Sequence, residues 1–325
     1  MILLFVVSAV AFSIFFLVPR LAGETPDDLA SRYVGKSAGA AQIHATAVTL
    51  GFTDPVYVQF GRFAKGIFVG ADYDTGPSVE HCPAPCFGYS FLSQQPVLPD
   101  LLNRLPVTLS LASGAALLWL VGGVATGVLS ALKRGSGFDR SAMGLALAGV
   151  SLPIFFTGLL SLSIFSYSFG WAAPGGTNPM DAGNPLQWAY DLILPWITLA
   201  FLYAAAYARL TRAGMLETMN EDFIRTARAK GLPERTVVVR HGLRAALTPI
   251  LTIFGLDLGL LLGGAILTET TFSLPGLGQY AVIAITNNDL PKVLGVTIFG
   301  GIFIVLANLV VDLLYAVVDP KVRTR

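Results

Sequence analysis

Apolar residues gather into six long runs, at about 1–18, 107–132, 141–166, 189–208, 246–268 and 293–317. Polar residues, prolines and glycines return between them. A membrane-crossing helix needs roughly 20 mostly apolar residues, so each run is long enough, the first only just. The pattern predicts an all-α polytopic protein with six transmembrane helices. A first helix covers 1–18, a long segment covers 19–106, and a five-helix core covers 107–325. The first run admits a second reading. It ends near Ala22 and Gly23 as a cleaved signal peptide would, but no basic stretch precedes it. A retained helix is the expectation, because the rest of the chain is polytopic, and the missing basic start suggests a true N-terminus upstream of Met1.

Composition agrees with lipid as the solvent for much of the surface. Hydrophobic residues make up 54% of the chain and charged residues 13%. A soluble domain carries about 25% charge, enough to cover its surface with polar groups. The net charge of +1 gives no reason to expect a nucleic-acid partner. The 34 glycines suit helices that approach closely in a bilayer.

Positive charge sets the orientation. Eight of the 21 Lys and Arg residues fall in one stretch, 209–245, between the fourth and fifth runs. With the N-terminus inside, the inner segments are 133–140, 209–245 and 318–325, and they collect Lys133, Arg134, Arg140, those eight, Lys321, Arg323 and Arg325. The short outer segments 167–188 and 269–292 hold only Lys292. The positive-inside rule therefore places both termini in the cytoplasm and the 19–106 segment outside. Both cysteines lie in that segment, in His81-Cys82-Pro83-Ala84-Pro85-Cys86. Outside the cell thiols oxidise, so a Cys82–Cys86 disulfide pinning a tight turn is expected. Three candidate ligands in a proline-restricted turn fall short of a closed four-ligand metal site.

The 209–245 stretch carries helix punctuation. Thr218-Met219-Asn220-Glu221 fits a capping box, with Asn220 a competing N-cap. Glu221 and Asp222 follow where the helix dipole favours negative charge; Arg225, Arg228 and Lys230 lie where it favours positive charge. Gly231 and Pro233 end the element. A helix from Glu221 to Lys230 is predicted, with Phe223, Ile224 and Ala227 on one face. So short a helix is marginal alone and must pack on something. Two destinations fit: this chain's own helix ends, or a groove on a separate cytoplasmic protein.

These residues carry a resemblance. Arg225-Thr226-Ala227-Arg228-Ala229-Lys230-Gly231, then Leu232-Pro233-Glu234-Arg235 and Arg240-His241-Gly242-Leu243-Arg244, resemble the cytoplasmic loop of ABC importer permeases. The general form of that loop is Glu-Ala-Ala, three residues, Gly, nine residues, then Ile-x-Leu-Pro. Ala227, Gly231 and Leu243 match it. Arg225, Thr226, His241 and Arg244 depart from it, in the manner of the peptide, dipeptide and nickel branch. Phe87-Gly88-Tyr89-Ser90, Arg104-Leu105-Pro106-Val107-Thr108-Leu109, Phe272-Ser273-Leu274-Pro275-Gly276-Leu277-Gly278 and Asn308-Leu309-Val310-Val311-Asp312-Leu313-Leu314-Tyr315 with Asp319-Pro320-Lys321-Val322-Arg323 resemble the same branch. Together they cover most of 87–325. Residues 19–86 match poorly and read as lineage-specific.

The resemblance implies a permease subunit of a binding-protein-dependent peptide importer. Its implied partners are a second similar permease, two cytoplasmic ATPase subunits holding ATP and Mg, and an extracytoplasmic peptide-binding protein. It implies that Glu221, Asp222, Phe223, Ile224, Arg225, Ala227, Arg228, Lys230 and Gly231 form the coupling helix to an ATPase. The chain has no Gly-x-x-x-x-Gly-Lys-Ser/Thr phosphate loop, so no cofactor is expected on it. A nickel or other small-solute cargo is the nearest alternative.

Polar residues inside the runs are expensive and need partners. Asp257 reads as a hydrogen-bonded structural acid, with lining the path as the alternative. Gly255, Gly259 and Gly263 form a small-residue stripe pointing away from it. Asn308 and Asp312 share a helix face, more as a structural network than as a gate. His241 reads as a loop residue, and His44 has no evident partner. No catalytic set appears, which argues against an intramembrane enzyme. An ion-coupled secondary transporter would show inverted repeats and a stronger ion site than Asp257 alone.

Overall fold

A computed structural model of the chain describes residues 2–34, 39–74, 79–176, 183–262 and 265–318. Helix α1 (Ile2–Phe12) passes through a π-helical turn into α2 (Val18–Leu21). Then come α3 (Pro26–Ser31), α4 (Ala40–Thr49) and α5 (Val56–Val69). Strand β1 (Ala71–Asp74) pairs antiparallel with β2 (Val79–Cys82), and β3 (Tyr89–Ser90) with β4 (Gln95–Pro96). The remaining helices are α6 (Val97–Leu132), α7 (Gly137–Ser151), α8 (Ile154–Ser161), α9 (Pro185–Thr218), α10 (Asp222–Ala229) and α11 (Glu234–Thr236), followed by α12 (Arg244–Leu262), α13 (Ile266–Thr271), α14 (Leu277–Thr286) and α15 (Leu290–Val318). The fold is therefore mostly helical, but the two small hairpins in 71–96 correct the all-α expectation.

Four stretches are long and apolar enough to cross a membrane: Val97–Leu132, Pro185–Thr218, Glu234–Leu261 and Leu290–Leu309. Gly137–Ser151 and Ile154–Ser168, in which α8 continues as a π-helical segment, make a fifth if taken as one span broken by a 107° bend. The sequence pattern had suggested one continuous run there. Pro153 explains the break: it offers no N–H and drives its predecessor out of the helical region. Leu152 accordingly sits at φ −91°, ψ 131°. The apolar stretch Ser8–Leu21 is shorter than these spans.

The chain divides into two compact units. The first comprises residues 1–106 and 276–305. Its core includes Phe12, Leu29, Phe52, Phe87, Leu101, Tyr280 and Phe299. Helix α3 starts with a reciprocal capping box: the Asp28 amide donates to Thr25 Oγ1 (3.2 Å) and the Thr25 amide to Asp28 Oδ2 (2.8 Å). The Thr25 hydroxyl, which donates to Asp28 Oδ2 (2.7 Å), and the Thr25 amide hold the Asp28 carboxyl below its usual range. His44, which seemed unpartnered, meets Asp27 at 3.0 Å. Cys82 and Cys86 are joined by a disulfide with their Cα atoms 5.7 Å apart. The Cys86 amide donates to Gly66 O of α5 (3.2 Å), tying the turn to that helix. Buried Asp289 accepts from Ser90 Oγ (2.5 Å), and the Tyr280 hydroxyl donates to Asp100 (2.9 Å).

The second unit comprises residues 107–275 and 306–325. Trp119 and Tyr207 are its largest wholly buried side chains, in a core with Leu111, Leu192, Leu199 and Phe272. Helices α6 and α9 meet backbone to backbone. A Cβ on Gly123 would lie 3.0 Å from Ala204 O, and one on Gly127 2.6 Å from Ala208 O. Only glycine permits such an approach, and four-residue spacing keeps both positions on one helix face. The close-packing glycines were expected on α12. There Gly255 and Gly259 are buried, and Gly263 lies outside the described residues.

Candidate functional site

The basic stretch 209–245 is more regular than the loop read from sequence. Helix α9 runs on to Thr218, ten residues past the expected end of its span at 208. Arg212 does not stop it, because its guanidinium finds a buried partner described below. Thr218 is thus a helical residue of α9, not an N-cap. Asn220 closes α9 behind it, donating from Nδ2 to Leu216 O (2.7 Å). The N-cap of α10 is Glu221, whose backbone is extended (ψ 152°) and whose side chain makes no capping bond. The anticipated capping box is therefore absent, and its residues finish the previous helix.

The other end of α10 follows the sequence closely. Gly231 has φ +77°, the left-handed conformation that glycine adopts without penalty. A Cβ there would meet nothing within 4 Å, so conformation, not space, selects glycine. Its amide donates to Arg228 O (2.9 Å) and the Leu232 amide to Ala227 O (3.4 Å). This pair of bonds satisfies two of the last free carbonyls. Pro233 then opens α11, and Glu234 of α11 takes the Arg228 guanidinium in a fork, at 3.2 Å from Nε and 2.7 Å from Nη2. Arg225 pairs with Asp222 at 3.2 Å, on the surface.

The two faces of α10 have different fates. Ile224 is 0% exposed and Ala227 is buried, both against Val237, with Met219 packed beside them. Phe223 is 47% exposed and Leu232 38%. The expectation that Phe223 shares a face with Ile224 and Ala227 is corrected: successive helical residues lie about 100° apart. The inward residues bind the element to its own chain. Outward lie Glu221, Asp222, Phe223, Arg225, Arg228, Lys230 and Gly231, all exposed. Residue 241 is also helical: a π-helical segment, Val237–Leu243, leads into α12.

One polar cluster beside this region was missed. Asp139 of α7 is buried, and it accepts from Arg212 Nε (2.7 Å) and Nη2 (2.8 Å), from the Gly135 amide (2.8 Å) and from Ser130 Oγ. The 133–136 turn between α6 and α7 is thus clamped to α9. The available signal was Ser136-Gly137-Phe138-Asp139, a helix start with an acid in its first turn. Nothing in the sequence tied it to Arg212, 73 residues on.

Among the intramembrane polar residues, Asp257 of α12 accepts from the Tyr207 hydroxyl of α9 at 2.8 Å. Tyr203 stacks on Trp119 nearby, with ring centroids 4.7 Å apart. Asn308 is partly buried on α15, while the side chain of Asp312 lies outside the described residues. A second missed acid is Glu269 of α13. It is wholly buried and takes a bond from Thr108 Oγ1 at 2.8 Å. The sequence pattern had put it in an outer loop. Among the described residues no three His, Cys, Asp or Glu side chains gather as a metal site would require.

Long apolar helices, with a short, half-buried amphipathic helix between two of them, define a polytopic membrane protein. Comparison with known proteins agrees. Residues 123–324 match the family model "Binding-protein-dependent transport system inner membrane component", and residues 1–112 match the companion N-terminal model. A Brucella abortus (strain 2308) protein described as a peptide transport system permease is 40% identical over 308 residues, covering 95% of this chain and 92% of that one. The di/tripeptide transport system permease protein of Pseudomonas aeruginosa is 36% identical, covering 96% and 94%. The Escherichia coli K12 dipeptide permease is 36% identical over 92% and 90%. A chain of the inward-facing MetNI methionine ABC transporter shares the fold, with TM-score 0.53 at 19% identity over 68% of this chain and 97% of that one. The chain belongs to the family of inner-membrane components of binding-protein-dependent transport systems. The N-terminal match corrects the reading of residues 19–86 as lineage-specific.

Proposed function

We propose that this chain forms half of a peptide translocation path and is driven through α10 by a separate ATPase. The observation that carries the reading is the division of α10. Ile224 and Ala227 anchor it inward, while Phe223, Leu232 and the cations around them face outward. A helix held on one face transmits a push on the other to α9 and α12, which flank it in the chain. The peptide cargo is supported by the names of the relatives at 36–40% identity.

In this reading six segments cross the bilayer, the first being the apolar run 1–18. The basic residues at 133–140 and 209–245 support an orientation with both termini in the cytoplasm. A second permease completes the path, two ATPase subunits hold ATP and Mg, and an extracytoplasmic binding protein delivers peptide. The chain itself binds no nucleotide and catalyses nothing. Discrete packed arrangements of the helices supply the alternating states. Asp257 with Tyr207 holds α12 to α9; Asn308 and Asp312 serve the same purpose on α15.

Site-specific crosslinking tests this. A photoreactive residue at 223 should capture an ATP-hydrolysing subunit in the intact assembly, whereas one at 224 should capture this chain itself. Capture of no ATPase from 223 would remove the coupling role.

A further inference from the structure

One charge in the second unit is left unanswered. Asp257 stands roughly 20 Å along α12 from Arg244, inside the span Glu234–Leu261. Its Oδ2 accepts from the neutral Tyr207 hydroxyl (2.8 Å), and no cation pairs with it among the described residues. The side chain is partly exposed, on a helix face with exposed Ile253, Leu256 and Leu260. An ionised carboxylate inside a span is costly against lipid, so it faces water or a counter-charge.

Its surroundings favour one kind of cation. Tyr203 is one turn from Tyr207 on the same face of α9 and close enough to feel the Asp257 charge. The Tyr203 ring stacks on Trp119, and ring faces attract cations. Tyr203 also lines an open groove of about 310 Å³, with Leu199 and Leu202 of α9 and Leu260 and Leu261 of α12. Asp257 precedes these last two leucines by one turn. The apolar walls give room to a small apolar body but offer no partner to a charge. A divalent metal ion takes a cage of roughly six or more oxygens, and no three acidic, His or Cys side chains gather among the described residues. A primary ammonium on a small apolar body fits both the acid and the groove.

We propose that Asp257 holds the N-terminal ammonium of a peptide in transit, with Tyr203 beside it and the body of the peptide along the groove between α9 and α12. Free peptides carry such an ammonium. The bond from Tyr207 stays in place, since it occupies Oδ2 and leaves Oδ1 to the ligand. The proposal rests on the peptide-permease reading and deepens it: this chain itself reads the free amine.

The test uses the complete assembly, with its binding protein, in proteoliposomes. The two probes are Ala-Ala and lactoyl-alanine, in which a hydroxyl replaces the ammonium. Initial uptake rates give the ratio of kcat/KM for the pair. The binding protein contributes the same factor to every variant of this chain, so a change in the ratio belongs to this chain. Asp257→Asn keeps an acceptor for Tyr207 but loses the charge. It should lower the preference for Ala-Ala at least about tenfold, the value of a hydrogen bond to a charged group. Asp257→Glu, which keeps the charge, should hold the preference within about threefold of the parent. Tyr207→Phe removes the bond between the helices and should leave the preference within about twofold, even where total uptake falls. If Asp257→Asn fails to insert, Tyr203→Leu carries the test, with an expected loss of about two- to fivefold. An unaltered ratio in Asp257→Asn, or in Tyr203→Leu in its place, overturns the site, and so does an equal change in Tyr207→Phe. A sodium or pH dependence of uptake that Asp257→Asn abolishes, with the ratio unmoved, makes the cation inorganic and overturns it too. If the parent takes up Ala-Ala with ATP while the ratio stays fixed, only the site falls; if no Ala-Ala enters, the peptide reading falls with it.

Discussion

The 19–96 segment and the 219–243 element are both polar excursions from apolar helices, and they are stabilised in opposite ways. The first is packed on all sides within its own unit, against the first helix and residues 276–305. It has a disulfide between Cys82 and Cys86, two hairpins, a capping box at Thr25 and an aromatic core with a cavity in it. The second has one small apolar contact, Ile224 and Ala227 on Val237, and a glycine-terminated helix of eight residues. The first gains its stability from many contacts with the rest of its unit, while the second keeps one face bare. An element with one face buried and one face bare is suited to a partner.

Perturbations of the two regions should separate these roles. The largest effect is expected from Gly231→Pro. Proline cannot adopt φ +77° and loses the bond to Arg228 O, a cost of about 3 kcal/mol or more. Uptake in cells should disappear while membrane fractionation shows normal insertion. Next is Ile224→Ala, which should cost about 3 kcal/mol of local stability through the cavity it leaves. Hydrogen exchange of 219–238 should rise while that of 79–96 stays level. Replacing both Cys82 and Cys86 by serine should cost about 2 kcal/mol, confined to the other region. Exchange should then rise near 66–90, with transport kept at normal temperature. The smallest effect on stability, within about 0.5 kcal/mol, is expected from Phe223→Asp, since the side chain is exposed. Its thermal unfolding should match the parent, yet uptake should fail. Normal uptake with Phe223→Asp at normal expression would break the comparison at its centre.

Much of this was legible in the chain. The apolar runs marked the long helices because length and composition suffice to define such segments. Gly231 and Pro233 marked the end of α10 because a left-handed stop has few alternatives to glycine. The start of α10 was misread because Thr218-Met219-Asn220-Glu221 fits a cap equally well as the last turn of a preceding helix. The backbone decides between them: it is helical through Thr218 and extended at Glu221. Pro153 was visible, but a proline inside an apolar run predicts a kink without its size, and 107° is far from straight. The pairs Asp139–Arg212 and Thr108–Glu269 were hidden for a different reason: they join residues 73 and 161 positions apart, where periodicity carries no information. The N-terminal cavity was equally hidden, since its wall is drawn from 12 through 294.

The glycines at 123 and 127 have a mechanical consequence. At these positions the α6 backbone sits against the Cβ atoms of Tyr207 and Thr211 and the carbonyls of Ala204 and Ala208, so neither helix can slide or roll past the other without a collision. A tilt imposed on the lower end of α9 must therefore carry α6 along, so that the two behave as a single stiff strut.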